Sequence, residues 1–169
     1  MIVNGKGPLN AKLMIIGESP GKDEVEAGEP FVGRSGKLLT AIMEQAQIKR
    51  ETTYITNVVK EPCRDGNKNR PPKQEEIDKW KGVLWGEIKS LKELKLIVTL
   101  GKVPTCLLLK LKPTIKLSDY FGKRYKREYM VANIVPCYHP SFLLNNGQNE
   151  TDNVKKLFRL IKKILEKND

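Results

Sequence analysis

The sequence predicts an α/β fold, a three-layer α/β/α sandwich around a central four-stranded parallel sheet. Two observations carry this. Four short runs rich in Val, Ile and Leu each end at or near a glycine or proline, as buried strands do. Between them lie stretches with apolar residues at three- and four-residue spacing, the signature of a helix with one buried face. Strands that alternate with helices join by right-handed crossovers, which makes the sheet parallel and covers both its faces.

The first strand is expected at residues 13–16, before Gly17. A helix follows over 35–47, with Leu38, Leu39, Ile42, Met43 and Ala46 on one side. The second strand, 54–59, is β-branched and precedes Pro62. Pro72 suits the first turn of the next helix, and Ile77, Trp80, Leu84 and Ile88 continue its apolar stripe. The third strand, 96–100, stops at Gly101, and a short helix is expected over 103–110. The fourth strand, 131–135, runs into Pro136. A strongly amphipathic helix over 153–167 closes the chain.

The chain has 169 residues, enough for one domain with a real core, and nothing resembling a linker divides it. It contains 39% hydrophobic and 30% charged residues and no apolar run of membrane-spanning length. The opening MIVNGKGPLN lacks the apolar stretch of a secretory signal. Three scattered cysteines fit a reducing cytosol better than a disulfide framework. A net charge of +11 favours a polyanionic partner.

Ligands of doubly wound sheets bind beyond the carboxyl ends of the strands. Gly17-Glu18-Ser19-Pro20-Gly21 follows the first strand, and Asn57 ends the second. The fourth is followed by His139-Pro140-Ser141, which holds the only histidine of the chain. The segment GESPGKDEVEAGEPFVGRSGK at 17–37 superficially suggests a phosphate loop. Gly17 to Lys22 is one residue short of that motif, however, and Asp23 stands where Ser or Thr would reach a metal. Five acids between Glu18 and Glu29 also argue against a phosphate cradle.

Several stretches together resemble the uracil-DNA glycosylase superfamily, closest to its family-4, iron–sulfur branch. They are Gly17-Glu18-x-Pro20-Gly21, Glu29-Pro30-Phe31-Val32-Gly33 with Gly36, Leu38 and Leu39, the run from Tyr54 to Val59, Asn69-Arg70-Pro71-Pro72, and Tyr138-His139-Pro140-Ser141. The resemblance implies hydrolysis of the N-glycosidic bond of deoxyuridine in DNA by base flipping, releasing uracil and leaving an abasic site. Catalytic roles then fall to Glu18, which would orient or activate water and face the sugar cation, and His139, which would donate to uracil O2. Gly17, Ser19, Phe31 and Asn57 would form the uracil pocket, Phe31 by stacking and Asn57 by pairing with O4 and N3–H. Glu24 would support them. Gly33, Ser35, Arg70 and Ser141 would hold the DNA backbone. Leu143 or Leu144 would fill the gap left by the flipped nucleotide, the alternative for both being packing beneath the last loop. The basic run Lys123 to Arg127 offers a less specific phosphate contact.

The chain departs from that branch in its cysteines. An iron–sulfur cluster needs four thiolates, and there is no cysteine before the first strand. Cys63 lies near one ligand position and Trp80 occupies another. The expectation is therefore no 4Fe–4S cluster, no other metal, and a monomer. Ser19 stands where alanine is usual. The lysine- and asparagine-rich composition suits a phage or an AT-rich microbe, and a replication or repair partner is conceivable. Two alternatives remain: a non-catalytic DNA-binding module on the same fold, and a glycosylase for a modified uracil.

Overall fold

The computed structural model describes residues 1–167. In chain order it contains β1 (Leu13–Gly17), α1 (Lys22–Ala27), α2 (Arg34–Gln45), β2 (Thr53–Asn57), β3 (Arg64–Asp65), β4 (Lys68–Asn69), α3 (Gln74–Ser90), β5 (Leu96–Leu100), α4 (Lys102–Leu109), β6 (Asn133–Cys137), α5 (Pro140–Asn146) and α6 (Gln148–Glu166). Strands β1, β2, β5 and β6 form one parallel sheet in the order β2-β1-β5-β6. The short β3–β4 hairpin stands apart from it. Among the described residues no helix is long and apolar enough to cross a membrane.

The strands are buried on both faces, as their unbroken apolar runs require. Leu13, Ile15, Val98 and Val135 face a core shared with Leu39 and Ile42 of α2 and Phe158 and Ile161 of α6. Met14, Ile16, Ile97 and Ile134 face the opposite core, with Trp80 and Leu84 of α3 and Leu108 of α4. The three expected layers are present.

Both sheet edges are closed by backbone from outside the strands. Lys6 pairs with Ile55 on β2, and Tyr125 with Ile134 on β6. The basic run around Tyr125 thus caps an exposed edge, a standard remedy for unpaired strand edges.

Several boundaries differ from expectation, most of all in the second and fourth strands and the last helix. The second strand ends at Asn57. Val58 and Val59 instead donate to the carbonyls of Gly17 and Glu18, at 2.9 and 3.0 Å, and tie the two strand ends together. The fourth strand begins at Asn133, two residues late, and passes through Pro136. Proline is tolerated there because β6 is an edge strand and needs no donor at that position. The last helix begins at Gln148 and is preceded by α5, with Gly147 between them at a φ of 90°. The helix α1 and the β3–β4 hairpin lie in segments with no apolar periodicity, so pattern alone did not reveal them.

The chain reverses direction across the sheet after β1. It passes from β1 to β2 on one side, then returns to β5 on the other. The carboxyl ends of β1 and β5 therefore border the crevice where such folds bind ligands.

Candidate active site

A cleft of about 490 Å³ opens at that crevice. Its lining includes Glu18, Ser19, Phe31, Gly33, Ser35, Asn57, Arg70, His139 and Ser141. Gly17 lies beneath it. Residues from five separate segments, expected from sequence to act together, thus share one cavity.

Glu18 follows β1 directly and faces the start of α4. The Val103 backbone N–H donates to its carboxylate, while burial outweighs that bond and raises its pKa above the ordinary value. Gly101, at a φ of 97°, makes room for it: a Cβ there would stand 2.7 Å from Glu18 Oε1. The result is a carboxylate poised to take a proton more readily than an exposed glutamate.

His139 caps the N-terminus of α5. Its Nδ1 accepts the Ser141 backbone N–H at 3.1 Å and lies 2.7 Å from Ser141 Oγ. A nitrogen that accepts an N–H bond carries no proton, so the neutral ring bears its proton on Nε2. Burial lowers the pKa of His139 to about 4, against a weak upward pull from Glu24. At neutral pH the ring is an uncharged donor. Ser141, expected on the DNA backbone, instead turns both its N–H and its hydroxyl towards His139.

Asn57 ends β2 and is only 2% exposed. Its Oδ1 is buried and has no hydrogen-bond partner among the described residues. Such an orphan costs free energy and calls for an explanation. Gly17 pairs with Asn57 in the sheet register, and a Cβ at Gly17 would collide with both the Asn57 amide oxygen and the Phe31 ring. Glycine at 17 lets these two side chains close over the end of β1.

Phe31 is buried and has a φ of 54°, an unusual conformation for a bulky residue. The surrounding bonds hold it there. Arg50 donates to the Pro30 carbonyl at 2.6 Å and to Thr40 at 3.1 Å. On the other side, Glu24 Oε1 accepts from the N–H groups of Val32 and Gly33, at 3.1 and 2.9 Å, and Oε2 accepts from Gly21 at 3.1 Å. Strained backbone held by its surroundings concentrates at functional sites. The Phe31 and His139 rings lie 5.8 Å apart, tilted by 37°. The role of Arg50 was not visible in the sequence, since its contacts lie ten and twenty residues away.

Two expected DNA contacts have other partners. Arg70 forks onto Glu76 at 2.8 and 2.9 Å and reaches Asp65 at 3.1 Å. It fastens the β3–β4 hairpin to α3 at the cleft rim. Leu143 is 4% exposed and packs in the core with Phe158. Pro140 and Leu143 form the buried side of α5, so packing is the role of Leu143. Leu144 is half-buried, while Phe142, two residues before it, is exposed. Gly33 caps α2 at the cleft, followed by exposed Arg34.

The residues present do not fit a four-cysteine cluster. Cys63 packs in one core, Cys137 in the opposite one, and Cys106 lies on α4. Among the described residues no group of three or more His, Cys, Asp or Glu could hold a metal ion. Burial raises the pKa of all three thiols, Cys137 to about 12, which disfavours the thiolate a metal needs. Trp80 is buried near Cys63, and its Nε1–H donates to Glu61 at 3.0 Å.

Comparison with known proteins places the chain in a family. The chain is 38% identical over 146 residues to the type-4 uracil-DNA glycosylase of Pyrobaculum aerophilum, covering 84% of this chain and 72% of that protein. It is 34% identical over 168 residues to the type-4 uracil-DNA glycosylase of Thermotoga maritima, covering 96% and 84%. The crystal structure of Pedobacter heparinus SMUG2 shares the fold, with a TM-score of 0.53 at 13% identity over 93% of this chain and 77% of that one. The model of the uracil DNA glycosylase superfamily matches residues 4–163, and the chain belongs to that superfamily.

Proposed function

We propose that this chain is a monofunctional uracil-DNA glycosylase that acts on a flipped nucleotide. The supporting observation is the unpartnered Asn57 Oδ1, which shares one cleft with a neutral His139 and a half-buried Glu18. In this reading the uracil enters between Phe31 and Asn57. The amide offers a donor to O4 and an acceptor to N3–H, and its Oδ1 so gains the partner it lacks. As the N1–C1′ bond breaks, its electron pair leaves with the base, and the charge on O2 meets the Nε2–H of His139. Water adds to C1′ and passes a proton to Glu18, whose negative charge also faces the cationic sugar. The products are uracil and an abasic deoxyribose. A glycosylase that also cleaves the strand uses an amine as nucleophile, and among the described residues no lysine lines the cleft.

We also read the chain as working without an iron–sulfur cluster, in line with the scattered, protonated thiols. The direct test is an oligonucleotide with one uracil, incubated with the protein, treated with alkali and run on a denaturing gel beside a thymine control. Cleavage at uracil that needs alkali supports the proposal. Cleavage without alkali overturns the monofunctional reading. No cleavage by a folded protein that binds DNA favours the binding module or a substituted uracil. Metal analysis of the same preparation should find no stoichiometric iron.

Gly17→Ala tests the close approach at the base of the pocket. The added methyl displaces Asn57 and Phe31, and misplacement by about 1 Å costs roughly 10²-fold in rate. Single-turnover excision should fall by about that factor, and a rate equal to wild type would refute the close approach.

A further inference from the structure

A fully buried charged group lies one layer behind the cleft. Lys60 is 0% exposed. Its Nζ has three protons and three acceptors: Thr56 Oγ1 at 2.6 Å, the Asn57 main-chain oxygen at 2.6 Å, and Glu87 Oε2 at 2.7 Å. Glu87, on α3, also accepts from the Gly5 backbone at 3.1 Å, from Thr56 Oγ1 and, at 3.4 Å, from the Tyr54 hydroxyl. The network is closed, and it joins β2, α3 and the N-terminal segment.

Such a pair is poorly explained as a source of stability. Desolvating two charges offsets most of their attraction, and apolar residues of similar volume often do as well. What the pair does specify is geometry. The Asn57 Oδ1 has no hydrogen-bond partner among the described residues, so its direction is set by close packing over Gly17 and by the peptide that carries it. The β2 strand ends at that residue. The ammonium of Lys60 binds the Asn57 carbonyl itself, while the main-chain bonds of Val58 and Val59 to Gly17 and Glu18 hold only the residues that follow.

We propose that Lys60, held by Glu87, is the positioning residue for Asn57, fixing the strand-end peptide so that the amide meets the base in the cleft. This rests on the glycosylase reading of the site. Because removing one charge alone leaves the other buried and unpaired, the test uses the neutral pair Lys60→Met with Glu87→Gln, which retains an acceptor for Thr56 and Gly5. With the fold verified by circular dichroism, single-turnover uracil excision should fall roughly 10- to 100-fold. Affinity for undamaged duplex should be unchanged. Adding Asn57→Ala to that pair should lower the rate much less than the product of the separate losses, as residues acting through one another do. A wild-type rate in the neutral pair, or losses that simply multiply, overturns the proposal.

A second readout needs no turnover. The Asn57 side-chain amide resonances, identified as the pair lost in Asn57→Ala, should shift or double in the neutral pair, and unchanged resonances overturn the inference. An inactive wild type with shifted resonances would instead refute the glycosylase reading and leave the positioning role standing.

Discussion

Glu18→Gln is expected to lower the single-turnover rate of uracil excision by roughly 10²- to 10⁴-fold, the usual contribution of a positioned general base. Glutamine keeps the shape and can still accept the Val103 N–H, but it cannot take a proton or offset the charge on the sugar. Removing a negative charge from the DNA-facing cleft should leave affinity for DNA equal or higher. The pH profile follows from the raised pKa of Glu18. The ionised form is active, so the rate should fall with acidity from a pH above the ordinary carboxylate value of 4.5. His139, at about 4, loses its neutral form only below that limb. Stability moves the other way. A pKa raised by folding means that the native state favours the protonated acid. That contribution is full below the unfolded pKa and is lost as pH rises through the folded one. At pH 7 wild type therefore carries a half-buried, partly desolvated carboxylate that Glu18→Gln lacks. The variant should melt at an equal or higher temperature at pH 7, with the gap narrowing towards acid. A variant of unchanged rate would remove Glu18 from the chemistry.

The four long strands and the helices that cover them were readable because burial leaves a periodic trace. Leu96 to Leu100 is apolar throughout because both faces of β5 are covered, and Ile42 and Met43 recur because α2 has one buried side. The site residues were readable for a different reason. Glu18, Asn57 and His139 each lie at or just beyond the end of a strand, and the topology places those ends together. What holds them was not readable. Lysine ordinarily lies at the surface, and Lys60 is buried only because Glu87, twenty-seven residues on, returns along α3 to meet it. Arg70 reads as a phosphate contact until Glu76 and Asp65 are seen around it. Leu143 and Leu144 are identical in type and adjacent, yet only one faces the core, and the register of a seven-residue helix decides which. In each case the deciding partner is fixed by tertiary structure, which local sequence does not encode.

Asn57→Ala separates function from stability most sharply. Truncating a buried side chain usually destabilises a protein by opening a cavity. Here the same change removes an acceptor that has no partner, and leaving such a group unsatisfied costs about 1–3 kcal/mol. The two effects oppose each other, so the net change should lie within about 1 kcal/mol. For a chain of this length that corresponds to a melting shift of about 2–4 °C. Excision should respond quite differently. Without the amide nothing replaces the hydrogen bonds that uracil O4 and N3–H lose on leaving the duplex, and the rate should fall by roughly 10²- to 10³-fold, as when one preorganised donor is removed. Thermal unfolding and single-turnover excision on the same preparations measure both. A large loss of stability with a matching loss of rate would make Asn57 a structural residue at the end of β2. A near-normal melting temperature beside a crippled rate would mean that the fold carries the orphaned amide because the base is its partner.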